Sequence, residues 1–141
     1  MKPLNYFFYY AYAGLVLAAG FWGAFGNPHL DFRILFHFSP DALDAFARIN
    51  LLDQYRFLRA MEFGFGLYCF LFTREIFRHR KFNILFLLTM TSGTLARIVS
   101  LLWEGKPSLP MCFFLGFEAT GILVISIYSF QVVYHKKLRH G

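Results

Sequence analysis

The chain has 141 residues, of which 57% are apolar and 21% aromatic, and only 16% carry a formal charge. With a mean hydropathy of +0.48, this balance excludes a disordered chain and an ordinary water-soluble domain, and it points to a membrane protein. Two cysteines are too few for a disulfide scaffold, and the net charge of +6 comes without a basic-aromatic nucleic-acid motif, so it reads as a topology signal and an attraction to anionic headgroups.

The first predicted span, 4–25, lies in an uncharged stretch from Pro3 to Leu30, long enough for a hydrocarbon core about 30 Å thick. A cleavable signal peptide is the competing reading, because Lys2 precedes an apolar run containing Ala18, Ala19 and Gly20. The run is longer than a signal core, and it is read as a helix. Tyr6, Tyr9, Tyr10 and Tyr12 gather toward one end and Trp22 toward the other, as does Trp103 later in the chain; all are expected to form an interfacial belt. Gly14 with Ala18, Ala19 with Gly23 and Ala60 with Gly64 are small residues at helical spacing, expected where helices approach closely. A long connection, 27–54, carries Asp31, Asp41, Asp44 and Asp53 against Arg33 and Arg48. Within it Ser39-Pro40-Asp41 is a helix start, and the stripe Leu43, Phe46, Ile49 and Leu52 predicts a short interfacial helix.

Three further spans are predicted at 55–73, 82–103 and 109–134, each with ionisable residues inside its apolar pattern. A central charge costs about 2.5–3.5 kcal/mol on the insertion scale, which several Leu, Phe, Ile and Val residues offset. With four crossings, Lys2, then Arg74, Arg78, Arg80 and Lys81, then Lys136, Lys137 and Arg139 all fall on one side. Both termini are therefore expected in the cytoplasm. The expected fold is an all-α integral membrane protein, one domain over 1–141, built as a four-transmembrane-helix bundle. Gly14 aligns with Gly93, Gly26 with Gly105, Pro28 with Pro107 and Glu62 with Glu118, a pattern that predicts two parallel helical-hairpin repeats with a site between them.

Arg56, Arg59 and Glu62 recur every third residue on the second span. Arg97 is flanked on the third by Gly93, Thr94, Ser100 and Glu104, and Glu118 lies on the fourth. Counting about 1.5 Å per residue puts Glu62, Arg97 and Glu118 about 9–14 Å deep, at one level. Arg56, Arg59, Glu62, Arg97, Ser100, Glu104 and Glu118 are the candidate ligand-binding set. The arginines would hold the head of a lipid-like or anionic amphiphile, and the glutamates would orient the arginines. A salt-bridge network that only sets helix register is the structural alternative. In a small membrane enzyme acting on a polyketide, quinone or isoprenoid, Glu62 and Glu118 would be the catalytic acid–base candidates. A structural or accessory subunit of a larger membrane complex, or a homo-oligomer, is the third reading. No metal or cofactor is expected, because Glu75 and His79 have no companion ligands in the spans; His29 and His37 read as solvated, and Cys69 and Cys112 as small hydrophobes.

The segments Arg59-Ala-Met-Glu62-Phe-Gly64, Gly93-Thr-Leu-Ala-Arg97-Ile-Val-Ser100 and Glu104-Gly105-Lys106-Pro107-Ser108, with Glu118, resemble the small bacterial membrane family called domain of unknown function 4345 over nearly the whole chain. That resemblance implies four helices and no assigned activity. A looser similarity to DoxX-like and anthrone-oxygenase-like four-helix proteins raises redox chemistry as an analogy alone.

Overall fold

Lys2 is the only charge in the 24 residues of α1 (Lys2–Phe25), which forms an unbroken helix. The computed structural model describes residues 2–134, and the chain is helical in each main element, with no strand among the described residues. Lys136, Lys137 and Arg139, used above for orientation, lie outside the described residues.

The connection after α1 differs from expectation. Asn27 accepts a hydrogen bond from the Leu30 N–H and Pro28 takes the first helical position, so a helix the sequence reading did not anticipate, α2 (Pro28–Leu35), begins at once. It ends at His37, whose φ of 52° turns the chain so that the Phe38 N–H reaches the Phe32 carbonyl at 3.1 Å. Ser39-Pro40-Asp41 yields only a 3₁₀ turn, Pro40–Ala42, because Leu43 is extended and Ser39 makes no cap bond. Asp44 is the effective cap, its carboxylate accepting from the Ala47 N–H at 3.0 Å, and α3 (Ala45–Leu71) then runs for 27 residues. The stripe of Phe46, Ile49 and Leu52 therefore lies on the opening turns of α3 and does not form a helix of its own; the short helix between α1 and α3 is α2 instead. A one-turn helix, α4 (Thr73–Ile76), leads to α5 (Arg80–Trp103), and α6 (Leu109–Ser129) continues into a π-helical turn, Phe130–Tyr134.

Helix α3 packs antiparallel along α1. The contact runs from Arg56, which donates to the Ala24 carbonyl at 2.6 Å, to Tyr9, which donates to the Cys69 carbonyl at 2.6 Å. Close approach occurs at Gly23, as expected, and at Gly20 and Gly66, but not at the expected Gly14 and Gly64. A Cβ on Gly20 would sit 2.4 Å from the Phe63 backbone nitrogen, and one on Gly66 would sit 2.7 Å from the Leu17 Cα, whereas Gly14 and Gly64 have nothing within 4 Å. The core lies toward the Lys2 end of α1, where Tyr9, Ala13, Cys69, Phe86, Met90 and Ile125 are buried together. Tyr9 is fully buried and Tyr12 lines a cavity, so these two leave the expected belt, whereas Tyr10 is exposed. Their hydroxyl-bearing rings fill interior space between helices.

Large apolar side chains crowd the exterior, among them Phe46, Leu71, Leu102, Trp103 and Phe113. Three helical stretches, Lys2–Phe25, Arg80–Trp103 and Leu109–Val133, are long and apolar enough to cross a membrane. Although longer than any of these, α3 falls outside that set because it carries Arg48, Asp53, Arg56, Arg59 and Glu62.

The glycine geometry separates two substitutions that look alike in sequence. Gly20→Ala pushes α1 away from the α3 backbone and is expected to cost about 1–3 kcal/mol, as overpacking does. Gly64→Ala meets open space and is expected to be neutral or stabilising by about 0.5–1 kcal/mol. Denaturant unfolding in detergent micelles checks both; equal effects would contradict the packing.

Candidate functional site

Ring contacts and hydrogen bonds between α3 and α5 lie at Phe65–Phe86, Tyr68–Phe82 and Phe72–Phe82. Toward the Phe25 end of α1 a cavity of about 290 Å³ lies among the four long helices. Tyr12, Leu15, Val16 and Ala19 face it from α1, and Tyr55, Leu58, Arg59 and Glu62 from α3. Arg97 enters from α5, and Met111, Phe114, Phe117 and Glu118 from α6. Leu35 and Phe36, at the end of α2, complete the lining. Ser108, capping α6, donates to the Leu35 carbonyl and ties that segment to the opposite wall.

Four charges line this space as two ion pairs. Arg59 Nη1 donates to Glu62 Oε2 at 2.6 Å within α3, and Arg97 Nε lies 3.1 Å from Glu118 Oε2 between α5 and α6. The aliphatic stem of Arg59 rests on Gly23, where a Cβ would come within 2.5 Å of Arg59 Cγ, so α1 aims the guanidinium. Its Nε donates to the Tyr55 hydroxyl at 2.8 Å, the Tyr55 hydroxyl donates to Asp31 Oδ2 at 2.9 Å, and the guanidinium stands 5.0 Å from the Tyr55 ring centre. A chain of hydrogen bonds thus runs from α2 through Tyr55 and Arg59 to Glu62. Glu118 also receives a long bond, 3.5 Å, from the Thr94 hydroxyl, and Arg97 Nη1 points at the Met111 sulfur at 3.5 Å.

Of the sequence-derived set, Arg59, Glu62, Arg97 and Glu118 line the cavity, and Arg56, Ser100 and Glu104 do not. Arg56 is drawn to the Ala24 carbonyl, one of the unsatisfied acceptors at the C-terminus of α1, where a cation also complements the helix dipole. Ser100 is exposed, and Glu104 is the C-cap of α5, about 10 Å along the axis from Arg97. Helical phase placed them on the right face but not at the right height. Tyr12, Tyr55 and the α2 end were missed. An Asp31–Tyr55 contact between separate helices has no local spacing signal, whereas Tyr55 four residues before Arg59 was readable. The aligned pair Glu62 and Glu118 differ in their partners, one pairing within its own helix and the other across to α5.

The chain belongs to the family described as domain of unknown function (DUF4345), whose model matches residues 7–128 and so spans every residue of the cavity lining. No curated protein and no solved structure matches it.

Tyr55→Phe removes the acceptor for Arg59 Nε and the donor to Asp31. A loss of about 1–3 kcal/mol in unfolding free energy is expected, as for a partly buried polar group left unpaired. In a double-mutant cycle with Asp31→Ala the two losses should overlap rather than add. Strict additivity would show that the Asp31–Tyr55 bond contributes nothing.

Proposed function

We propose that this protein is a small membrane protein that holds the polar head of a lipid-like amphiphile in the cavity between its four long helices. The observation that carries the reading is the composition of the lining: two guanidiniums and two carboxylates on a wall otherwise made of Leu, Val, Ala, Met and aromatic side chains. Arg59 and Arg97 hold the head, Glu62 and Glu118 orient those arginines, and the exposed rim residues Leu15 and Leu58 pass the tail to the bilayer. At about 290 Å³ the space is at the lower limit for small-molecule sites, so it takes a headgroup or a single ring and leaves a long chain outside.

In this reading α3 is the fourth crossing. It accompanies α1 from Arg56 to Cys69, about 20 Å of helix, and within that stretch the charged pair Arg59 and Glu62 turns toward the cavity. These two of its charges are thus matched at the cavity, as intramembrane charges are. The basic residues of the sequence support an orientation with both termini in the cytoplasm of a bacterial cell and the cavity toward the outer leaflet. Binding is favoured over acid–base catalysis because both carboxylates are committed to guanidiniums and, among the described residues, no histidine, cysteine, lysine or serine lines the space.

Purification in mild detergent followed by native mass spectrometry is expected to retain an amphiphile at about one per chain. Arg97→Ala should lose it and Glu104→Gln should keep it. A folded Arg97→Ala protein with unchanged bound lipid would overturn the assignment.

A further inference from the structure

The charges that line the cavity sum to zero. Arg59 and Arg97 are balanced by Glu62 and Glu118, and the remaining lining residues are uncharged. Each ion pair is also incomplete as a set of hydrogen bonds. Glu62 and Glu118 each engage a guanidinium through Oε2, and among the described residues Oε1 of neither accepts a hydrogen bond. Arg59 bonds through Nε and Nη1, and Arg97 meets its partners through Nε and Nη1, so the Nη2 group of each remains available as a donor. The Tyr12 hydroxyl, on the same wall, makes no hydrogen bond among the described residues. The cavity therefore presents donors and acceptors side by side with no net charge.

From this we infer, resting on the amphiphile-binding reading above, that the preferred head is electroneutral and bears both a hydroxyl or amide donor and an oxygen acceptor, as in a monoacylglycerol, and that carboxylate and phosphate heads are disfavoured. A neutral head inserts without moving a charge, donating to a free carboxylate oxygen and accepting from a free guanidinium nitrogen. An anion can also accept from a free guanidinium nitrogen, but it brings a net negative charge beside two carboxylates in a largely apolar setting, with no unbalanced cation in the lining to match it. Asp31, bonded to the Tyr55 hydroxyl, adds a negative charge beyond the lining on that side. An arginine site built for phosphate would carry unbalanced positive charge. Here each arginine has a carboxylate of its own.

The test compares two probes with the same tail and glycerol unit, 1-lauroylglycerol and 1-lauroylglycerol-3-phosphate, titrated onto the full chain in nanodiscs of neutral lipid. Saturable binding is read by native mass spectrometry. The neutral probe is expected to bind at least about tenfold more tightly. Glu62→Gln, which leaves the lining with one excess positive charge at almost unchanged shape, should shift the preference toward the phosphate by about the same factor. Equal or tighter binding of the phosphate to the unaltered chain would overturn the neutral-head inference and leave amphiphile binding standing. Saturable binding of neither probe would overturn both. A Glu62→Gln protein with unchanged preference would show that the charge balance of the cavity does not set selectivity.

Discussion

A charge in an apolar medium must be matched before the helix that carries it can be buried, and the architecture of this protein follows from that requirement. Arg59, Glu62, Arg97 and Glu118 come from three helices and meet in one cavity as two pairs, 2.6 and 3.1 Å across. Their neighbours serve the same end. Gly23 makes room for the stem of Arg59, Tyr55 accepts from its Nε, and Asp31 fixes Tyr55 from the α2 side. Arg56, one turn away, satisfies a carbonyl at the end of α1 and leaves the cavity to Arg59.

Helices in lipid gain nothing from excluding water, so their contacts must come from close packing and from hydrogen bonds. Both are used here, at different places. Glycines bring α1 and α3 together at Gly20 and Gly66, while near the Lys2 end aromatic rings and the Tyr9 and Tyr68 hydroxyls join α1, α3 and α5. Where small residues and interlocking rings give way to arginine, glutamate and larger apolar side chains, the bundle holds a cavity. The segment from α2 to Phe36 closes over it, held by Ser108 from the start of α6.

Much of this was legible in the sequence, and the unread part has physical causes. The helices at 82–103 and 109–134 were clear because long apolar runs bounded by Arg80 and by Pro107-Ser108 leave few alternatives. The four cavity charges were clear because charge inside an apolar run is conspicuous. The interfacial helix failed on a contest between two caps: Ser39-Pro40 and Asp44 both signal a helix start, and only the side chain of Asp44 reaches an orphan N–H. Asn27-Pro28 signalled α2 by the same chemistry and was passed over. Of the expected glycines Gly23 sits at a close approach and Gly14 and Gly64 do not, since spacing names a face of one helix but not the height at which a second helix crosses it. The tyrosines failed because an aromatic ring at a helix end suits an interface and an interior equally well, and only the partner helix decides between them.

The cavity and the fold are one construction in this protein: the same guanidiniums that pair with Glu62 and Glu118 also line the space between the helices. The most direct measurement is a charge-swap cycle on Arg97 and Glu118, the pair that joins two helices. Arg97→Glu and Glu118→Arg alone should each lower unfolding stability by about 1–3 kcal/mol, because each sets like charges together in a half-buried place. The double swap is expected to recover most of that loss and to return folded, monodisperse protein. A double variant no better than the single ones would contradict the claim that matched charge organises the bundle.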